Sequence, residues 1–179
     1  MKVLVEPTAV FAQFGEAFAY PGPELVGVLA GLRESLAERE DSCALKVDEF
    51  VRYIEDTPIR RIEEQYTRAF DIAPIAVPYL SVYLFGAENP QRGAFMAGLM
   101  EAYEKAGHAC GGELPDHIAV LLRYAPKAPP GEWEELCEHC LPTPLRLMRI
   151  ALEEAKSPYA QLADALRTFV LAFGENRDA

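Results

Sequence analysis

The chain has 179 residues, 17 basic and 28 acidic side chains, and a net charge of −11 at pH 7 with the histidines neutral. Half of the residues are hydrophobic and a quarter are charged, a composition that fits one globular domain, residues 1–179, with a core that needs no disulfide or metal staple. So acidic a surface argues against DNA or RNA as the main partner, because phosphate recognition needs a basic face, and it suits a basic peptide or protein segment.

At the start, Lys2 is followed only by Val3-Leu4-Val5 before Glu6 and Pro7. That run is too short for a secretory signal. No stretch of about twenty apolar residues exists, so no spanning helix and no stable membrane insertion are expected. Four cysteines, at 43, 110, 137 and 140, are too few for a disulfide scaffold. The expectation is a reduced, cytoplasmic protein.

The apolar spacing is helical along most of the chain. Val10, Phe11, Phe14, Ala17 and Phe18 form the first stripe, and Tyr20-Pro21-Gly22-Pro23 ends it. Leu25, Val28, Leu29, Leu32 and Leu36 form the second, with a polar loop expected over 37–42. Val47, Phe50, Val51 and Ile54 form the third. Thr57-Pro58 predicts a helix start, followed by Ile59, Ile62, Tyr66 and Phe70 on one face.

The segment 71–78 holds two prolines and no helical period, and predicts an irregular loop. A dense aromatic patch follows at Tyr79, Tyr83 and Phe85. After Asn89-Pro90 comes the stripe Phe95, Met96, Leu99, Met100 and Tyr103, ended by Gly107. Pro115 opens a helix with Ile118, Leu121 and Leu122, and Pro126 stops it. Three stripes remain, beginning at Trp133, at Thr143-Pro144 and at Ser157-Pro158. The predicted fold is all-α, a compact helical domain of about eight to nine helices.

Candidate chemistry is sparse. Cys137-Glu138-His139-Cys140 has the spacing of half a zinc site, yet no second cysteine pair completes it, and both thiols lie on the stripe that starts at Trp133. Buried structural thiols are the favoured reading. A metal- or redox-sensing regulator built on Cys137 and Cys140 is the alternative. No phosphate-binding loop and no nucleophile elbow occur. Asp116 beside His117 is placed to cap the helix that follows, and an acid–base pair at these residues would lack a third catalytic group. The more informative feature is the set Tyr66, Phe70, Tyr79, Tyr83 and Phe85 around the irregular loop, with Glu63, Glu64 and Asp71 nearby. An apolar groove with an acidic rim fits an amphipathic basic peptide.

Two segments carry a family resemblance. Glu64-Gln65-Tyr66-Thr67-Arg68-Ala69-Phe70-Asp71 resembles the E-x-Y-x-x-L-F-D motif of the redox-enzyme maturation chaperones, and Glu113-Leu114-Pro115-Asp116-His117 resembles their E-L-P-D-H motif. Between them, Phe85-Gly86, Arg92-Gly93, Tyr103-Glu104 and Gly107 are similar to the nitrate reductase delta-subunit branch, as are Tyr20-Pro21 and Ser157-Pro158-Tyr159-Ala160. The ordered set spans most of the chain.

The resemblance implies an all-helical, cytoplasmic, non-enzymatic chaperone without cofactor or bound metal. Its implied partner is the apo catalytic subunit of a molybdenum-containing oxidoreductase, nitrate reductase or a relative, held by its N-terminal leader peptide until the cofactor is inserted. It implicates Tyr66, Phe70 and Asp71 from the first motif and Pro115, Asp116 and His117 from the second. The place of His117 beside Asp116 carries a separate expectation, that a charge on its ring near neutral pH tunes release of the leader. Ala69 stands where the pattern usually has Leu, which predicts a wider groove. A homodimer is compatible with such helical folds.

Overall fold

The computed structural model describes residues 5–39 and 42–175. The start of the chain before Val5, Glu40 and Asp41 of the expected 37–42 loop, and the tail after Glu175 lie outside the described residues.

Ten α-helices occur among the described residues: α1 (Pro7–Ala17), α2 (Leu25–Glu38), α3 (Ala44–Glu55), α4 (Ile59–Phe70), α5 (Leu80–Phe85), α6 (Gln91–Ala106), α7 (Ile118–Tyr124), α8 (Pro130–Glu135), α9 (Pro142–Glu154) and α10 (Tyr159–Glu175). A π-helical turn, Leu136–Cys140, continues α8 into α9. No strand forms among the described residues; the one β-type contact is an isolated bridge. The all-α expectation holds. The element that the apolar period did not reveal is α5, whose six residues are too few to display a period of 3.6.

In space, α7 packs on α1, α1 on α2, α2 on α3, α3 on α10 and α10 on α9. One contiguous core runs through these helices. Its centre is aromatic: the Phe11 ring lies 5.0 Å from Trp133, 4.8 Å from Phe169 and 5.4 Å from Phe173, each edge to face. Tyr159 closes the other end against Phe50, Tyr66 and Phe70.

Two local rules place the site. At Gly15 in α1, a Cβ atom would sit 3.0 Å from the Ala119 carbonyl oxygen and 3.0 Å from the Arg123 amide nitrogen. Only glycine lets α1 and α7 approach this closely, and that approach sets the second motif beside the end of α1. Gly107 ends α6 with φ +62, and the next amide, of His108, donates to the Tyr103 carbonyl at 2.8 Å.

The loop over 71–78 is irregular but pinned. The Ile75 and Ala76 amides donate back to the Arg68 and Ala69 carbonyls at the end of α4, at 3.3 and 2.9 Å. Ala76 and Pro78 are buried. Ala73 adopts a left-handed conformation, φ +48, to make the turn. Ala69 is buried in the core rather than exposed at a groove, so its small side chain fills a packing position and widens nothing at the surface.

The candidate site where the two motifs meet

The end of the loop and the second motif lie side by side. Tyr79 and His117 form the antiparallel bridge. The Ile118 amide donates to the Pro78 carbonyl at 2.8 Å, and the Leu80 amide to the Asp116 carbonyl at 3.0 Å. The chain is thus cross-tied at two levels, and the Tyr79 and His117 rings meet at 5.5 Å.

Asp116 anchors this junction from behind. It is fully buried, and its Oδ2 accepts from the Ser81 amide at 3.2 Å and from the Ser81 hydroxyl at 2.5 Å. The Ser81 oxygen accepts in turn from Arg92 Nε at 2.9 Å, and Arg92 Nη1 donates to the Ala87 carbonyl. A buried carboxylate needs such partners to remain in place. The sequence reading of Asp116 as the cap of α7 is corrected: the cap is His117, whose Nδ1 accepts from the Ala119 amide at 3.2 Å. The cap moves one residue because Asp116 is engaged with Ser81. Pro115 is also buried, and its carbonyl accepts from the Tyr103 hydroxyl at 2.8 Å.

In front of the junction is a cleft of 290 Å³. Its walls are Tyr20, Tyr66, Phe70, Pro78, Tyr79 and His117, with Asp71, Glu113 and Arg123 also lining it. Tyr66 and Phe70 are wall and core at once. Tyr66 is 7% exposed; its hydroxyl donates to the Phe18 carbonyl at 3.1 Å and its ring touches Tyr20, Phe70 and Tyr159. Tyr20, by contrast, is 56% exposed and stands over Tyr66 at 5.4 Å.

The electrostatics of the cleft are asymmetric. Arg123 is already engaged: its Nε donates to the Ala119 carbonyl and its Nη1 lies 3.7 Å from Glu16. Asp71 and Glu113 are exposed carboxylates without a cationic partner within 4.0 Å among the described residues. The Tyr79 hydroxyl donates to Glu113 at 3.3 Å; burial and then the Glu113 charge push its phenol up. Burial pushes the Tyr66 phenol up as well, with Glu113 and Asp71 adding to it. For His117, burial outweighs the Glu113 carboxylate and holds the imidazole below its ordinary value. Burial thus favours the neutral ring over the imidazolium.

Of the nine residues singled out from the sequence, Tyr66, Phe70, Asp71, Tyr79 and His117 line the cleft. Pro115 and Asp116 lie behind its wall. Tyr83 and Phe85 lie outside it: the Tyr83 phenol is pushed up to about 12 by burial, and the Phe85 ring pairs with Phe95 at 5.6 Å. Sequence reasoning gave no binding role to Tyr20, Pro78, Glu113 or Arg123. For Tyr20 the signal was an aromatic held beside Pro21 at the end of α1. For Arg123 it was the i, i+4 relation to Ala119, one turn from the cap.

The second candidate site gathers no metal-binding group among the described residues. Cys137 is buried and Cys140 half-buried in the π-helical turn, and no disulfide joins them. Among the described residues, no three His, Cys, Asp or Glu side chains are grouped to hold a metal ion. Nor is any helix of the described residues long and apolar enough to cross a membrane.

Among the described residues, an all-helical fold gathers aromatic walls and two exposed carboxylates around two cross-tied motifs. The fold is shared with a crystal structure described as a redox enzyme maturation protein from Archaeoglobus fulgidus. The match has a TM-score of 0.65 at 19% identity and covers 95% of this chain and 97% of that one. Residues 36–168 match the nitrate reductase delta subunit family, and the chain belongs to that family. It is 31% identical over 129 residues to the nitrate reductase molybdenum cofactor assembly chaperone NarJ of Escherichia coli K12, across 72% of this chain and 53% of that protein. The protein of the same name from E. coli O157:H7 gives the same figures. The chain thus spans about half the length of the curated relatives it matches.

Proposed function

We propose that this protein is a cytoplasmic, non-enzymatic assembly chaperone. In this reading it binds the N-terminal leader of the apo catalytic subunit of a molybdenum-containing oxidoreductase, nitrate reductase or a relative, and holds the subunit during cofactor insertion. The observation that carries the reading is the cleft at the meeting point of the two motifs, with aromatic walls and Asp71 and Glu113 at its edge. Family membership and the assembly role of the Escherichia coli relatives support the same reading.

The physics is that of a short amphipathic segment. An apolar leader side chain buried against Tyr20, Tyr66 and Tyr79 contributes about 1–3 kcal/mol. A basic leader group facing Asp71 and Glu113 adds attraction and a faster encounter, both weakened by salt. Covering an unfinished subunit also limits its aggregation.

The test is co-purification with the tagged chain from cells that make the catalytic subunit, with and without its leader. Retention of the full subunit and loss of the leaderless one is the expected result. Equal recovery of both, or of neither, overturns the reading.

A further inference from the structure

Tyr20 also lines a second groove of 490 Å³, together with Arg60, Glu63, Glu64, Thr67, Arg68 and Ile72. Residues 60, 63, 64, 67 and 68 recur at helical spacing, so they form the outer face of α4. The opposite face, Ile62, Tyr66, Ala69 and Phe70, is in the core. The two grooves share Tyr20 as a wall and so adjoin at that ring.

The charge on this face is unlike that of the first cleft. Arg60 and Arg68 are exposed, and neither side chain makes an ion pair or hydrogen bond among the described residues. Arg61, on the flank, already holds Glu64 at 3.0 Å. On a protein with a net charge of −11, this face carries three guanidinium groups, Arg60, Arg61 and Arg68, against two carboxylates, Glu63 and Glu64, and with Arg61 on Glu64 the excess of positive charge falls to Arg60 and Arg68. Eight helical residues separate them by about 12 Å, a distance that about four residues of extended chain cover. Ile72, 75% exposed, and Tyr20 offer an apolar contact beside them.

We infer that the outer face of α4 is a second binding groove, taking the continuation of the same leader segment beyond the first cleft. The continuation is a carboxylate-bearing stretch: its Asp or Glu side chains pair with Arg60 and Arg68, and an apolar side chain rests on Tyr20 and Ile72. Guanidinium forks favour this match because they can bind carboxylates with two parallel hydrogen bonds. The leader would then be read in two sign-opposed halves, basic over Asp71 and Glu113 and acidic over α4. The inference rests on the leader-binding reading above.

The test uses the full chain and synthetic peptides copying the leader of the catalytic subunit of the host's nitrate reductase. Three are needed: the full leader, a version cut back to its basic half, and the full leader with Asp and Glu changed to amides. Affinity is measured by fluorescence anisotropy for the wild type, for Arg60→Glu/Arg68→Glu, and for Arg52→Glu/Arg146→Glu as a control of equal charge change at exposed sites. The expected result is that Arg60→Glu/Arg68→Glu binds the full leader about ten-fold more weakly, with less than a two-fold change for the cut-back peptide and for the control. The amide peptide should lose a similar factor on the wild type. Equal affinity of wild type and Arg60→Glu/Arg68→Glu for the full leader overturns the second groove and leaves the first standing. An equal loss in the control reduces the effect to net charge and also overturns it. Failure of the wild type to bind any of the three peptides overturns the leader-binding reading, and this inference with it.

Discussion

Ser81 and Asp116 lie thirty-five residues apart in sequence, and both are fully buried, yet the serine hydroxyl donates to the aspartate at 2.5 Å while accepting from Arg92. This link ties α5 to the second motif and fixes the Tyr79 and His117 side of the cleft. It accounts for a buried aspartate in a motif that looks, in sequence, like a helix cap. The other Asp116 oxygen, Oδ1, has no hydrogen-bond partner among the described residues, so the two bonds from Ser81 carry the whole carboxylate.

Ser81→Ala removes one of those bonds and leaves Asp116 with the Ser81 amide alone. The expected loss is about 1.5–3 kcal/mol in unfolding stability, the range for a hydrogen bond to a charged group. Urea unfolding followed by circular dichroism measures it. A change below about 0.5 kcal/mol, the range of ordinary surface substitutions, would show that the link does not hold the junction.

Gly15→Val places a branched side chain where a Cβ atom alone is already 3.0 Å from the α7 backbone. Since the neighbouring atoms are the Ala119 carbonyl and the Arg123 amide, α1 or α7 must shift. Overpacking of this kind costs about 1–3 kcal/mol. The shift also displaces His117 relative to Tyr20. Thermal unfolding checks the first effect, and peptide affinity measured well below the melting temperature checks the second.

The helices were legible because their apolar residues recur at 3.6, and the prolines at 58, 90 and 158 each precede the first residue of a helix. The cap-and-proline pattern was only partly legible. Asn89 and Ser157 side chains do accept from the Gln91 and Tyr159 amides, whereas α9 starts at Pro142, before the expected Thr143-Pro144. What sequence proximity could not give was direction. Tyr79, Tyr83 and Phe85 are neighbours in the chain, but α5 begins at Leu80 and turns the last two away from the cleft. Tyr20 and Glu113 reach the same cleft from distant parts of the sequence, through the close approach of α1 and α7 and the bridge at His117. Such juxtapositions belong to packing and leave no periodic trace.

His117 gives a pH dependence with a definite sign. Its folded value is lowered by burial, so the unfolded chain binds a proton more readily than the native one. The stability this neutral ring contributes is fully present above the unfolded histidine value of about 6.5 and is lost as pH falls from there toward the lowered folded value. His108, half-buried between Tyr103 and Tyr124, shifts in the same direction through desolvation. Melting temperature should therefore be flat from pH 8 to 7 and decline below that. His117→Asn, which keeps a side-chain acceptor for the Ala119 amide, should flatten the decline. An unchanged acid slope in that variant would remove His117 from the account.

Exposure separates binding from stability within the aromatic wall. Tyr66 and Phe70 are core residues as well as cleft residues, so Tyr66→Ala should cost about 3–5 kcal/mol and confound any binding assay with unfolding. Tyr20 has one ring contact to lose, at 5.4 Å from Tyr66, and stands 56% exposed where the two grooves join. Tyr20→Ala should therefore lower stability by only about 0.5–1 kcal/mol. If a leader passes over this ring, as proposed, the same substitution should weaken its binding by about thirty-fold, the effect of losing a central aromatic anchor. Paired unfolding and anisotropy measurements on Tyr20→Ala decide the matter. A stable variant with unaltered affinity would mean that the bound segment does not cross Tyr20, and the continuation of the leader into the second groove would be lost with it.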